Sequence, residues 1–384
     1  MNRAVALSRA VFGEEHNIYR QSGRRFIEKS VSPHYERWER EGQVPRAFWT
    51  DAGAAGLLCP MVPEAYGGAG GDYLFNAIVL EELVRAGATG LGGVSVHSDI
   101  VVPYLVDHAT EEQKRHWLPK MVSGEAVAAI GMTEPGGGTD LKALRTAARR
   151  DGNHYVIDGQ KTFITNGQVA DLVVLAATTD RRAGAKGISL FLVEAARDGY
   201  RRGRQLDKVG QHAADTAELF FDGVRVPAEN LLGEEGKGFA YMMEKLPQER
   251  LAIAIIGAAH AEAAHAWTIA YVKERKAFEK TVFDFQNTRF KLAEMAAEVT
   301  LGRLFVDTCL KAHLAGTLDV PTAAMAKFWV TDMASRVIDE CLQLFGGYGY
   351  MREFPIARAW IDARVQRIYG GTNEIMKELV ARSL

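Results

Sequence analysis

The sequence predicts a mainly α-helical protein with a β insert: an N-terminal helical domain over 1–125, a central antiparallel β domain over 126–235 and a C-terminal helical bundle over 236–384. Three observations carry this. Capped amphipathic segments fill the first third. From Gly124 the pattern changes to alternating β-branched and aromatic runs. After Gly236 long helical patterns return and continue to Leu384.

In the first part, "DYLFNAIVLEELVRAG" starts at Asp72, whose carboxylate suits a helix N-cap. It sets Leu74, Ile78, Glu81 and Glu82 on a mixed amphipathic pattern. "ATEEQKRHWLPKMVSG" has Thr110 and Gln113 at capping-box spacing, and Gly124 follows its end. The Pro/Gly stretch "MVPEAYGGAGGD" precedes both as a loop. In the middle, "HYVIDGQKTFITNG", "DLVVLAATT", "GISLFLVE" and "AELFFDGVRVP" read as strands, punctuated by Asp-Gly pairs at Asp151, Asp158 and Asp222. In the last part, "LAIAIIGAAHAEAAHAW" is apolar nearly all round. Such a helix is buried inside a bundle or at a subunit interface.

The bulk properties narrow the function. A chain of 384 residues, 47% apolar, buries a large core and divides into two or three subdomains. The net charge is −2, with acids and bases interspersed, so no basic stripe argues for nucleic acid. No apolar run reaches membrane-spanning length. The opening "MNRAVALSRAVFGEEHNIYR", with Arg3 and Arg9 followed by Glu14 and Glu15, reads as the start of the fold rather than a signal peptide. Cys59, Cys309 and Cys341 are far apart with no C-x-x-C, which fits a reducing, cytoplasmic setting and no thiolate metal site.

Four stretches carry candidate chemistry. "GMTEPGGGTD" (131–140) sets Thr133 and Thr139 among glycines whose N–H groups can face a phosphate; taken alone it reads first as a tight turn. It is neither a Walker loop nor a Rossmann fingerprint. "KTFITNG" places Phe163 and Thr165 two apart on one strand face, an aromatic beside a hydroxyl that can flank a flat ring or lie in a half-buried strand. "LPQERLAIA" holds Glu249 and Arg250 at the head of the apolar helix. Ala252, Ile253 and Ile256 share the Glu249 face. A desolvated carboxylate there gains proton affinity, which suits a general base; a salt bridge at a helix start is the competing reading. "RVQRIYGGTNEIM" pairs Gly370 with Gly371 before Thr372 and Asn373 open a helix, yet has no carboxylate at its turn. His260 and His265 are five apart, not the four that zinc ligands on one helix face need, and no G-x-S-x-G occurs.

Together, "MTEPGGGTD", "KTFITNG", "DTAELFFDGVRVPAENLLG", "ERKAF", "QLFGGYGY" and "IYGGTNEIM" stand in an order and spacing that resembles the acyl-CoA dehydrogenase family, almost end to end. The resemblance implies a helical domain, a β domain and a four-helix bundle, one FAD per subunit, and a homotetramer. It implies that the backbone around Ile130, Met132 and Thr133 meets the flavin, with Thr165 bonding the ring and Phe163 where relatives often have tryptophan. Thr139 stands where serine is usual, near the flavin pyrophosphate and the CoA chain. Arg275, Phe278, Gln286, Gln343, Leu344, Gly346 and Gly347 would reach the FAD of a neighbouring subunit. Thr372, Asn373 and Glu374 would hold its diphosphate at a helix start. Many members carry a glutamate base where this chain has Gly370. A minority, of long-chain and isovaleryl type, place it one residue before an arginine, where this chain has Glu249 before Arg250. The resemblance therefore makes Glu249 the base and Gly370 N–H the donor to the thioester oxygen, with Arg250, Tyr369 and Gly371 beside the substrate. Glu249 would take the pro-R α-proton and a β-hydride would pass to flavin, giving trans-2-enoyl-CoA. Electron-transfer flavoprotein is the implied acceptor. The stretches "GGVSVHSDIVVPYL" and "LPQERL" look most like the long-chain enzymes. Isovaleryl-type, oxidase and non-catalytic binding relatives are the alternatives.

Overall fold

The computed structural model describes residues 9–384; residues 1–8, including Arg3 of the N-terminal reading, lie outside the described residues. The N-terminal part is α1 (Glu14–Ser30), α2 (Tyr35–Glu41), α3 (Arg46–Ala54), α4 (Tyr73–Arg85), α5 (Gly92–Ser95), a π-helical segment Val96–Val101, α6 (Val102–His108) and α7 (Glu111–Val122). Asp72 caps α4 by accepting the Leu74 N–H, and Thr110 with Gln113 forms the capping box of α7.

Eight strands follow: β1 (Ala128–Gly131), β2 (Ala147–Asp151), β3 (His154–Thr165), β4 (Leu172–Thr178), β5 (Ile188–Glu194), β6 (Tyr200–Gln205), β7 (Thr216–Pro227) and β8 (Leu231–Leu232). They form one sheet in the order β6-β7-β3-β2-β4-β5-β8, with β1 paired to β4. Most pairs are antiparallel, but β1–β4 and β2–β4 run parallel. The antiparallel expectation is corrected at those two pairs: alternation reports which face of a strand is buried, not the direction of its neighbour. The Asp-Gly pairs also divide. Asp151-Gly152 turns the β2–β3 hairpin, with Gly152 at φ +60. Asp158-Gly159 and Asp222-Gly223 instead lie inside β3 and β7, where the register slips, and Asp158 accepts the Gly223 N–H across the two strands. They are bulges rather than turns.

The C-terminal part has three long helices, α8 (Gly238–Glu274), α9 (Gln286–Leu314) and α10 (Val320–Phe345), packed on one another. A short hairpin of β9 (Lys276–Ala277) and β10 (Lys280–Thr281) joins α8 to α9. Helices α11 (Pro355–Ala363) and α12 (Asn373–Ala381) close against α10. The apolar run read from the sequence is the middle of α8, buried from Leu251 to Ala264 apart from Ile256 and Glu262. Its core also takes Tyr73, Leu74, Ala77 and Leu80 from α4, so the N-terminal helices and the bundle share an interior.

An ionic cluster stitches the same junction. Glu81 is fully buried and accepts from Arg9, Arg20 and Arg303, and Arg303 also grips Glu262. Burial alone would push the Glu81 carboxyl up, but the surrounding guanidinium groups hold it well below the usual carboxylate range. This explains why acids sit on a core-facing side of α4.

Candidate functional site

Glu249 lies on α8 and is buried, with 7% exposure. The Tyr104 hydroxyl, from α6, donates to its Oε1 at 3.0 Å. Burial pushes the Glu249 carboxyl up to about 7, against the pull of the Tyr104 hydrogen bond and of the neighbouring Arg250 charge. Desolvation therefore outweighs the arginine, and the group is poised to accept a proton near neutral pH. Arg250 is buried as well, and its Nε has no partner among the described residues.

The second part of the site is the loop that ends α11. A short 3-10 turn, Arg364–Arg367, carries the chain to Tyr369, Gly370 and Gly371. Gly370 has φ +65 and Gly371 φ +94, a left-handed pair that side chains resist. A Cβ at Gly370 would come within 2.3 Å of Ile253 Cδ1. Ile253 is four residues after Glu249, one helical turn along the same face. The glycine loop thus packs directly on the helix face that presents Glu249. The Gly370 N–H has no acceptor among the described residues. Desolvation pushes the partly buried Tyr369 hydroxyl up to about 12.

Beyond the loop, Thr372 occupies the N-cap of α12 and Glu374 is exposed in its first turn. Asn373 is engaged internally: it accepts from Lys327 and donates toward Phe328 O, Thr331 Oγ1 and Asp332 Oδ1. Its side chain braces the helix start and does not face outward.

The candidate flavin residues form two patches. On the β domain, Ile130 lies in β1, and Met132 and Thr133 follow the end of that strand at Gly131. The Thr133 carbonyl accepts the Thr162 N–H at 2.9 Å. Phe163 sits at a register slip of β3, with φ +59 and 67% exposure, and Thr165 is half-buried two residues on. An aromatic ring held open to solvent in a strained backbone suits a flat partner. Thr139 is exposed in the glycine loop. That loop is tied down by Glu134, which accepts the Arg145 and Thr146 N–H groups and pairs with fully buried Lys161 at 2.8 Å.

On the bundle, Arg275, Gln343, Leu344, Gly346 and Gly347 line one cleft of about 520 Å³ with Tyr271 and Tyr348. A Cβ at Gly346 or Gly347 would meet nothing within 4 Å, so their backbone faces open space. Phe278, 88% exposed, and Gln286 lie on the adjoining β9–β10 hairpin and the start of α9. Open glycine backbone, an arginine and exposed aromatics fit a group with phosphates and a flat ring. The cleft holds none of the β-domain residues.

Sequence reasoning missed Tyr104, Lys161 and Lys327. Tyr104 is 145 positions from Glu249, so no local spacing could reveal their contact. His260 and His265 are buried, and burial pushes both imidazoles down; no metal-binding group of His, Cys, Asp or Glu occurs among the described residues. No helix among them is long and apolar enough to cross a membrane.

Three family models match: "Acyl-CoA dehydrogenase, N-terminal domain" over 13–125, "middle domain" over 129–224 and "C-terminal domain" over 236–384. The long-chain specific acyl-CoA dehydrogenase, mitochondrial, of Sus scrofa is 50% identical over 378 residues, covering 98% of this chain and 88% of that protein. An acyl-CoA dehydrogenase from Geobacillus kaustophilus superposes with a TM-score of 0.95 at 52% identity, covering 97% of this chain and 98% of the other. A glutaryl-CoA dehydrogenase from Mycobacterium smegmatis, solved in complex with FADH2, superposes with a TM-score of 0.91 at 28% identity, covering 97% and 95%.

Proposed function

The chain belongs to the acyl-CoA dehydrogenase family, and from that premise we propose that it oxidises the Cα–Cβ bond of a long-chain acyl-CoA, with Glu249 as base. The observation that carries the reading is the complementarity of two positions. The loop residue that many relatives use as base is Gly370, while a buried carboxylate with a proton affinity near 7 stands on the helix face beneath it.

In this reading the acyl thioester lies between the Gly370–Gly371 loop and the Glu249 face of α8. Glu249 removes the α-proton, and Tyr104 holds its carboxylate while that proton is taken. As negative charge grows on the thioester oxygen, the free Gly370 N–H donates to it. Tyr369, Gly371, Arg250 and Thr139 border the substrate. When bound, FAD supplies the hydride acceptor for the β-carbon. Ile130, Met132, Thr133, Phe163 and Thr165 would hold it on one side. Arg275, Phe278, Gln286, Gln343, Leu344, Gly346 and Gly347 would hold it from a neighbouring subunit, with Thr372 and Glu374 at the start of α12. The separation of the two patches within one chain supports a homotetramer that shares cofactor sites. Electron-transfer flavoprotein is the proposed acceptor. The long-chain assignment is supported by the 50% identity to the Sus scrofa enzyme.

The test is an anaerobic titration of the flavin-loaded protein with straight C4 to C18 acyl-CoA and with isovaleryl-CoA. Bleaching fastest with C12–C18 is expected, with Glu249→Gln remaining yellow. Fastest bleaching by isovaleryl-CoA reassigns the substrate. A protein that stays yellow with every thioester refutes the reading.

A further inference from the structure

Lys327 has no part in the chemistry described so far, yet it is fully buried. It rises from α10 beneath the catalytic loop. Its Nζ donates to the Gly371 carbonyl at 2.7 Å and to Asn373 Oδ1 at 2.8 Å. No carboxylate lies within ion-pair distance of it among the described residues. A buried ammonium held only by a carbonyl and an amide is costly, and a methionine of similar volume would avoid that cost. The loop it holds is the one whose two left-handed glycines lack side chains to lock them.

Resting on the function proposed above, we infer that Lys327 is a positioning residue. Its two hydrogen bonds fix the carbonyl of Gly371 and the first residue of α12. They thereby hold the Gly370 N–H at the height where the thioester oxygen receives it. The side chain acts through the loop and touches no reacting atom.

The charge state of Lys327 gives a handle on this role. Facing it are Arg250 on α8, Asp332 on its own helix, Glu374 on α12 and Arg367 in the turn before the loop. Burial first, and Arg250 next, push its ammonium down to about 7, against the pull of Asp332 and Glu374. Below that pH the ammonium donates to both acceptors. Above it a neutral amine remains, a weaker donor with less hold on the loop.

The experiment uses flavin-loaded Glu249→Gln with bound 4-thia-trans-2-enoyl-CoA, a thioester whose absorption band moves to the red when its carbonyl is polarised. Removing the base removes its own titration. A red shift that is full at pH 6 and shrinks with a midpoint near 7 is expected. In the same background K327M gives a smaller, pH-independent shift, and K327R, always charged, keeps its shift through pH 9. With Glu249 intact, K327M lowers the flavin reduction rate at saturating hexadecanoyl-CoA by about tenfold or more while KM moves little. A flat band in Glu249→Gln, or a K327M protein with wild-type band and rate, overturns the role. The Glu249→Gln titration decides the matter even if K327M does not fold. Bleaching of the wild type by hexadecanoyl-CoA separately checks the underlying function. Absence of bleaching refutes that function, whereas normal bleaching with an unaltered K327M band refutes only the part given to Lys327.

Discussion

Tyr104→Phe tests the proposal that Glu249 is the base. The tyrosine hydroxyl donates to Glu249 Oε1 at 3.0 Å with both groups buried, and it is the larger of the two influences that oppose desolvation. A hydrogen bond to a charged acceptor contributes about 1.5–3 kcal/mol, and one to a neutral acceptor about 1 kcal/mol. The ionised form of Glu249 therefore loses about 1–2 kcal/mol more than the protonated form, which raises its pKa by about one unit. With the wild-type carboxyl near 7, about half is ionised at pH 7; after the shift about a tenth is. Flavin reduction at pH 7 should fall about fivefold and at pH 6 about tenfold, and the two proteins should converge above about pH 9. The assay is stopped-flow flavin reduction under anaerobic conditions across pH 5.5–9.5 with saturating hexadecanoyl-CoA. An unmoved midpoint, or one that moves to lower pH, would refute the assignment of Glu249 as the titrating base.

Glu249→Gln should make the protein more stable at high pH. The folded state holds the Glu249 proton to about 7, the unfolded chain only to 4.5, so its stability contribution is present below 4.5 and lost as pH rises through 7. The variant should gain up to about 3 kcal/mol over wild type at pH 8, read by urea unfolding, and the gap should close toward pH 5; a pH-independent gap counts against the shift. Moving the base to the loop, as Gly370→Glu in a Glu249→Gln background, meets φ +65 and the Ile253 side chain. Adding Ile253→Ala should raise the recovered reduction rate, and equal rates with and without it would show that the contact does not limit the site. Lys161→Met strands Glu134, whose remaining contacts are backbone N–H groups, and should cost about 3 kcal/mol of stability with loss of flavin on gel filtration. Wild-type flavin retention would remove Lys161 as the anchor of the glycine loop.

The sequence by itself determined the three-part order of helices, sheet and helices, because hydrophobic period is a local property. It determined the caps at Asp72 and Thr110 for the same reason: a cap is an interaction within four residues. It also carried the six motifs that identify the family, and with them the proposal that Glu249 takes the place of a loop carboxylate. What it could not carry is contact across the chain. Only the tertiary structure brings Tyr104 to Glu249, sets Gly370 on Ile253, seats Lys327 under Gly371 and turns the Asn373 side chain inward. It also decided that desolvation prevails over Arg250 at Glu249. The sequence shows a carboxylate beside a guanidinium, a pair that in water would favour the ion. The fold removes the water, and the cost of burying charge then outweighs the arginine's pull.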